Sequence, residues 1–332
     1  MTNKIALVLI SLFLITHCAW SMDFKNHPDY KLILKEAELG DNLVRSGKIY
    51  QALEYINVDS LSEKTKLEDE TNKAILDEGN FSFRENYKKF EMLYFFKNNK
   101  VRLIEKALRM YDKGKRYFNY NDNVFDGEIT LRINLDSLGA KGTIEALGDI
   151  YEGNVIKPFC NPLYYGYLIN GMNVSFFLSR KEITFYEKDE SEKITNLEFL
   201  KNQTIDGNNC IVIKGSSLDK NIVKLWLDSE KLYRPIKIEM EMKDKIIIIE
   251  NRMAKYDKDI CFPEKTIITE FYRDEISNSF LPDTKFILTV HKNSKININL
   301  SDSIFNSPIP DGATVGDHRT NETFIKGLDK DL

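Results

Sequence analysis

The chain has 332 residues, with 47 Lys and Arg set against 51 Asp and Glu for a formal net charge of −4 spread along its length. That balance leaves no basic footprint of the kind nucleic-acid binding needs, while a chain of this size can bury one large or two modest cores. No repeat of fixed period is visible, which excludes propellers and solenoids.

Met1 to Ser21 reads as a secretory signal. Lys4 is its only charge, Ile5 to Thr16 is dominated by apolar side chains, and Ala19-Trp20-Ser21 puts small residues at the positions a signal peptidase inspects. The apolar stretch is too short to span a bilayer as a helix of about 20 residues, so the mature chain is expected to begin near Met22. A rival reading makes Cys18 a lipid-modified N-terminus, although Ile15-Thr16-His17 is a poor version of the small-residue pattern that modification prefers. Three further cysteines follow, Cys160, Cys210 and Cys261, with no CxxC pair, which argues against zinc. In an exported chain two of them can pair and leave one over, or all three can be thiols buried on strand faces.

Residues 22–78 read as an N-terminal helical extension. Leu32, Leu39, Leu43, Ile49, Leu53 and Ile56 fall near helical spacing, interrupted around Gly40 and Gly47. Ser60 and Glu63 form a capping box, so a second, highly charged helix is expected over Leu61 to Asp77, on a surface.

At Gly79 the period becomes strand-like. Phe90 to Phe96 and Val101 to Leu108 flank Asn98-Asn99, where Asn tolerates the positive φ of a two-residue turn. The register this turn imposes sets Phe96 opposite Val101, Tyr94 opposite Leu103 and Phe90 opposite Ala107 on one face. On the other it sets Phe95 by Arg102, Leu93 by Ile104 and Glu91 by Lys106, so opposite charges meet. Lys115 to Tyr120 continues as a strand, and Ile129, Leu131, Ile133 and Leu135 alternate with polar residues in another. Residues 137–171 hold glycines, two prolines and the aromatics Phe159, Tyr164, Tyr165 and Tyr167, and are expected to be a long functional loop. A short helix over Asn173 to Lys181 follows. The strands then resume: Cys210 to Lys214, Val223 to Asp228, Pro235 to Lys243, Ile246 to Met253, Lys265 to Arg273, Thr284 to Lys292 and Ile296 to Leu300.

Turn signals rather than amphipathic helices separate these strands, which argues for antiparallel neighbours. In Ile236-Lys237-Ile238-Glu239-Met240-Glu241-Met242-Lys243 the alternation is unbroken, so one face is oily and the other wet. The expected fold is mainly β (α+β), a strongly curved antiparallel sheet. Something must cover its oily face: a second sheet, helices or an apolar ligand. Phe90, Tyr94, Phe96 and Leu103 on the hairpin, and Ile236, Ile238, Met240 and Met242 on the most regular strand, are the candidate lining of an apolar cleft. The alternative is a dry core beneath helices. Thioether side chains at two successive inward positions favour a lining that refits to flexible chains.

Catalytic chemistry finds little support. His27, His291 and His318 lie far apart without metal-ligand spacing, and the chain has no nucleophile elbow, phosphate loop or dinucleotide fingerprint. Glu239 and Glu241 alternate with the apolar face and point to solvent. Asp228 and Asp317 read as turn formers that accept from backbone N–H groups two residues on. No cofactor and no metal is expected.

The order of small signatures in the second half is more specific than its periodicity. Ile205-Asp206-Gly207 precedes the Cys210 strand; Leu225-Trp226-Leu227-Asp228 precedes Leu232-Tyr233-Arg234-Pro235-Ile236; Cys261-Phe262-Pro263 opens another strand. Ile304-Phe305, Ile309-Pro310-Asp311-Gly312-Ala313 and Val315-Gly316-Asp317 close the series. Taken in order they resemble the outer-membrane lipoprotein-carrier superfamily (LolA/LolB-like), in its long, poorly characterised bacterial envelope members. The resemblance spans about Phe81 to Arg319. It implies an incomplete barrel over 79–320, with a Gly/aromatic insertion at about 137–171 and a tail at 321–332, whose concave apolar side is lidded by helices and holds acyl chains. It further implies an exported, periplasmic or envelope-associated protein that is not an enzyme. Its partners would be acyl chains of lipids or of lipidated proteins, with an envelope protein as a possible second partner.

Overall fold

In the computed structural model of the chain, residues 22–57, 87–110, 116–136, 145–156, 160–169, 172–180, 183–187, 190–217, 221–257, 260–274 and 278–329 are described. The signal segment, Cys18 and the helix expected over Leu61 to Asp77 lie outside them. Strand β1 (Met22–Asp23) leads through a 3-10 turn at Phe24–Asn26 into helix α1 (Tyr30–Leu43). Strands β2 (Ser46–Asn57), β3 (Tyr87–Lys97), β4 (Lys100–Met110), β5 (Arg116–Phe125), β6 (Ile129–Asp136) and β7 (Glu145–Glu152) follow. Two short helices, α2 (Pro162–Gly166) and α3 (Val174–Ser179), separate these from β8 (Ile183–Glu187), β9 (Glu190–Ile205), β10 (Asn208–Ser217), β11 (Ile222–Asp228) and β12 (Arg234–Glu241). The chain ends with β13 (Lys245–Asp257), β14 (Ile260–Arg273), β15 (Phe280–Val290), β16 (Lys295–Ile296), a 3-10 turn at Asp302–Phe305, β17 (Thr314–Asp317) and β18 (Glu322–Ile325).

The ladders make one curved sheet, ordered β8-β9-β10-β11-β12-β13-β14-β15-β2-β3-β4-β5-β6-β7-β17-β18. Every pairing in it is antiparallel except that of β7 with β17. Strand β1 adds to β9 beyond β8, and β16 continues the line of β15 along β2. No ladder among the described residues joins β8 to β18, so the barrel is incomplete.

The β3–β4 hairpin has the expected register from Phe96↔Val101 through Tyr94↔Leu103 to Glu91↔Lys106, with Asn98 at φ 54° in the turn. Two other expectations are corrected. Residues 46–57, read as the continuation of a helix, form β2, which pairs along its length with both β3 and β15. Ile49 and Leu53 are spaced by four, which suits either period, and pairing on both edges decides for the strand. Gly40, read as an interruption, lies within α1. Nor is 137–171 a structureless loop, because Glu145–Glu152 joins the sheet and Pro162–Gly166 is helical. Strands β8 and β9, which the apolar pattern did not announce, carry one end of the sheet.

The sheet is oily on different sides at its two ends. From β9 across to β4 most of the buried apolar side chains face the helices, on the inner face of the curve, apart from a smaller outer cluster on β10 to β12. Ile33 and Ala37 of α1 and Val174, Phe177 and Leu178 of α3 pack on Ile211, Ile213, Leu225, Ile238 and Ile249. Beside them Cys160 and Tyr167, flanking α2, pack on Ile49, Tyr94, Phe96, Leu103 and Phe262. Directly paired residues share a face, so Asn123 and Arg132, which follow Leu103 across β5 and β6, also face inward. The inner face is therefore polar from β5 onward.

There the outer face is the oily one, and the C-terminal segment covers it. Leu300 and Phe305 pack on Phe95 and Val124, and Ile309, Ala313, Val315 and Phe324 on Leu131, Ile133 and Ile150. Arg102 fastens this segment from the outer face: its guanidinium grips both carboxylate oxygens of Asp122 at 2.9 and 2.6 Å and donates to the Ile304 carbonyl at 2.8 Å. The bidentate pair with Asp122 raises the pKa of Arg102 further above its ordinary value. Phe305 is buried at the centre of this covering, and Phe305→Ala is expected to cost about 3 kcal/mol. The urea midpoint should fall accordingly; an unchanged midpoint would show that the C-terminal segment does not contribute to the fold.

Candidate functional site: the helix-covered inner face

The inner wall and its helices are joined at one buried ion pair. Arg234 opens β12, directly after Leu232 and Tyr233, which sit at φ 53° and 57°. Non-glycine residues pay for such a left-handed pair with strain, and strain of this sort gathers where a side chain must be aimed. Asp228 builds the turn by accepting from the Glu230 N–H at 2.9 Å and pairing with Lys231. Asp317 acts likewise on the Arg319 N–H at 3.0 Å. Both aspartates thus play the turn-forming part read from the sequence.

The aimed side chain is Arg234, among the largest fully buried side chains among the described residues. Its Nη1 meets Asp41 Oδ1 of α1 at 2.7 Å, and both side chains are 2% exposed. Its Nη2 donates to the Ala37 carbonyl at 2.8 Å, and its guanidinium lies 4.8 Å from the centre of the Tyr167 ring. The Tyr167 hydroxyl donates to the Gly40 carbonyl, and burial pushes this phenol up to about 12, so it stays protonated at neutral pH. Asp41 also caps α3, accepting from the Val174 N–H at 3.0 Å and the Ser175 N–H at 2.9 Å. One carboxylate and one guanidinium therefore hold α1, α3 and the residue after α2 to β12. Gly40 makes room for this, since a Cβ there would come within 2.7 Å of Arg234 Nη2.

The structure distributes the candidate lining residues over two adjoining cores and one outer cluster. Tyr94, Phe96 and Leu103 are buried together with Cys160 and Tyr167, which flank α2, and Phe90 is half-buried at their edge. Ile238 and Met240 are buried beneath α1 and α3, with Met242 packed against them. Ile236 lies elsewhere, with Cys210, Val212 and Trp226 on the outer face. The reason is a bulge: Lys237 pairs with Trp226 and Pro235 with Leu227, so Ile236 has no partner across the ladder and the alternation shifts by one. Its apparent continuity with Ile238 in the sequence is corrected accordingly. No disulfide joins Cys160, Cys210 and Cys261; burial raises the Cys210 thiol to about 11.

Arg234, Asp41 and Tyr167 escaped the sequence reading. Arg234 had a signal, a cation next to a proline at the head of an apolar strand, whereas Asp41 sat unmarked in a polar helix. Two clefts open nearby. One of about 500 Å³ runs between the N-terminal end of α1 and the β9–β10 hairpin, with Ile33 and Ile211 in its floor and Asn202, Thr204 and Asn209 at its mouth. A larger one, about 800 Å³, opens over Tyr50, Leu93, Ile104 and Lys106, residues in outer-face register. None of the candidate lining residues borders either. No helix among the described residues is long and apolar enough to cross a membrane.

No family model matches the chain, and no curated protein matches it. Among solved structures it is similar to a DUF1329 family protein from Desulfovibrio piger, at 9% identity and a TM-score of 0.39, over 88% of this chain and 99% of that one. It is also similar to a LolA superfamily protein from Nitrosomonas europaea, at 13% identity and a TM-score of 0.37, over 83% and 97% of the two chains. A chain of the MucA/MucB complex of Pseudomonas aeruginosa follows at 6% identity and a TM-score of 0.19, over 82% of this chain and 100% of that one.

Breaking the latch from one side strands a buried charge. Arg234→Met is expected to destabilise the chain by about 3–5 kcal/mol, whereas the double change Arg234→Met, Asp41→Leu should recover part of that loss. Hydrogen exchange should quicken in α1 and α3 of the single variant before it does in β10 to β14; uniform quickening would show that the pair stabilises the whole fold instead of docking the helices.

Proposed function

We propose that the protein binds acyl chains, of lipids or of a lipidated protein, on its inner face, and carries or senses them at the cell envelope after export. The observation that supports this reading best is the way the inner wall is covered. An apolar surface several strands wide, from Ile211 through Leu225, Ile238 and Ile249 to Ile268, meets short helices and no second sheet. Those helices are joined to the wall by a buried polar junction at Arg234 and Asp41. Burial of apolar area is non-directional, so a hydrocarbon chain can replace Phe177, Ile33 and Leu178 against the wall when the helices swing away. Each acyl methylene buried contributes about 0.8 kcal/mol. About ten of them contribute about 8 kcal/mol, comparable to the burial of Phe177, Ile33 and Leu178 that the displaced helices give up, so the exchange of one cover for the other is close to balanced and a longer chain favours the open form. Met240 and Met242 supply thioethers that adapt to the chain. The cleft beside α1, with apolar residues below and amides at its mouth, is the natural entry. The ordered signatures and the signal-like N-terminus agree with this assignment, which calls for no catalysis, cofactor or metal.

A second reading has one observation in its favour. Ile33, Phe177 and Leu178 leave their part of the wall almost without exposed surface, as expected of an interaction or sensor module with a filled core that binds a protein partner.

Mass spectrometry of an organic extract of the purified exported chain separates the two. Co-purifying acyl lipid, or saturable uptake of a fluorescent fatty acid, is expected, with uptake faster in Arg234→Met if that variant keeps its far-UV circular dichroism. A lipid-free extract together with no uptake by either protein would leave the filled module as the correct reading.

A further inference from the structure

The inner wall is not oily throughout, and its polar end carries an unusual pattern of hydrogen-bonding groups. One cross-strand row runs Gln51, Met92, Glu105, Asn121, Asn134 over β2 to β6. The row beside it runs Tyr94, Leu103, Asn123, Arg132, Asp149 over β3 to β7. Both change from apolar to polar along the strand order. Gln51 Oε1 and Asn134 Oδ1 are buried and have no hydrogen-bond partner among the described residues, and both stand in the first row. Between them lie the Glu105 carboxylate, to which Asn121 donates at 3.5 Å, and Cys160, whose Sγ is 3.5 Å from Glu105 and whose carbonyl accepts from Gln51 at 2.6 Å.

All the unmet demand in this row is for donors. Each orphaned carbonyl costs about 1–3 kcal/mol while it lacks a donor. In the neighbouring row Arg132 Nε donates to Asn123 at 2.7 Å and its guanidinium lies 5.3 Å from the Tyr151 ring centre. Asp149, at the end of that row, faces His318 at 2.9 Å. A phosphate in the row would meet Glu105 and bring no hydrogen. A hydroxyl group brings one. With strands about 4.8 Å apart, Glu105 and Asn134 are about 10 Å apart, the span of a sugar-sized group.

Resting on the acyl-binding reading, the geometry points to the polar inner face of β4 to β6 as the seat of a hydroxyl-rich headgroup, a sugar or other polyol. The apolar inner face that begins at Met92, Tyr94 and Leu103 takes the chain attached to it. The ligand is then a polyol-headed amphiphile, held by Glu105, Asn121 and Asn134.

Calorimetric titration of the purified chain with dodecyl maltoside and dodecylphosphocholine, both below their micelle concentrations, compares two headgroups on one alkyl chain. The maltoside is expected to bind about tenfold more tightly, as one or two hydrogen bonds warrant. Asn134→Leu should abolish that preference and leave phosphocholine binding unchanged. Equal affinities in the unaltered chain, or a preference that survives both Asn134→Leu and Asn121→Leu, would overturn the headgroup seat while the acyl site stands. Failure of both amphiphiles to bind would remove the acyl site, and the seat with it. Near- and far-UV circular dichroism of each variant shows whether it is folded before its affinity is compared.

Discussion

A wide antiparallel sheet cannot leave an apolar face in water, and in this molecule the apolar side changes from one face to the other partway across. Up to β4 it is chiefly the inner face, covered by α1, α3 and the residues flanking α2. From β5 to β7 it is the outer face, beneath the segment from Leu300 to Phe324. Strand β3 stands at the crossing and is oily on both sides, with Tyr94 and Phe96 inward and Leu93 and Phe95 outward. The rest of the architecture answers this demand. A helical lid is required at one end and a C-terminal wrap at the other, and neither can be exchanged for the other without exposing a wall.

Hydrophobic covering sets where the helices go but not how firmly they stay. That is decided by the buried Arg234–Asp41 pair, because charges removed from water must be matched in geometry or they repel the structure that buries them. Asp41 is unusual in serving an ion pair and two N–H groups of α3 together. Asp41 thereby ties α1 and α3 to each other as well as to β12. A junction of this kind is strong when complete and costly when half-broken.

The same change of side gives the inner wall a direction. Its inner face is apolar from β9 to β3 and polar from Glu105 of β4 onward, and on the proposed reading an amphiphile would have one orientation that satisfies both of its parts. On that reading specificity would arise from the unmet acceptor of Asn134 and the Glu105 carboxylate more than from the fit of the acyl chain, since an unpaired polar group discriminates more sharply than a methylene.

Local chemistry was legible wherever one strand and its nearest turn contained the whole reason for it. The β3–β4 register followed from Asn98-Asn99 and the pairing of Glu91 with Lys106, and the turns at Asp228 and Asp317 followed from side chains that reach only two residues. The α3 helix, the strand series from Cys210 onward and the antiparallel class were legible for the same reason, as was the need for a cover over the oily face. What tertiary structure alone decided was everything that depends on partners distant in sequence. Two neighbours on opposite edges made residues 46–57 a strand, where spacing by four fitted a helix equally well. A bulge against Trp226 turned Ile236 away from Ile238, which no alternation pattern can reveal, because a pattern records order along the chain and a bulge is a mismatch between two strands. Asp41 became a latch because Arg234, far along the sequence, is carried to it by a sheet, and burial gave both of them a strength that neither shows as a residue type.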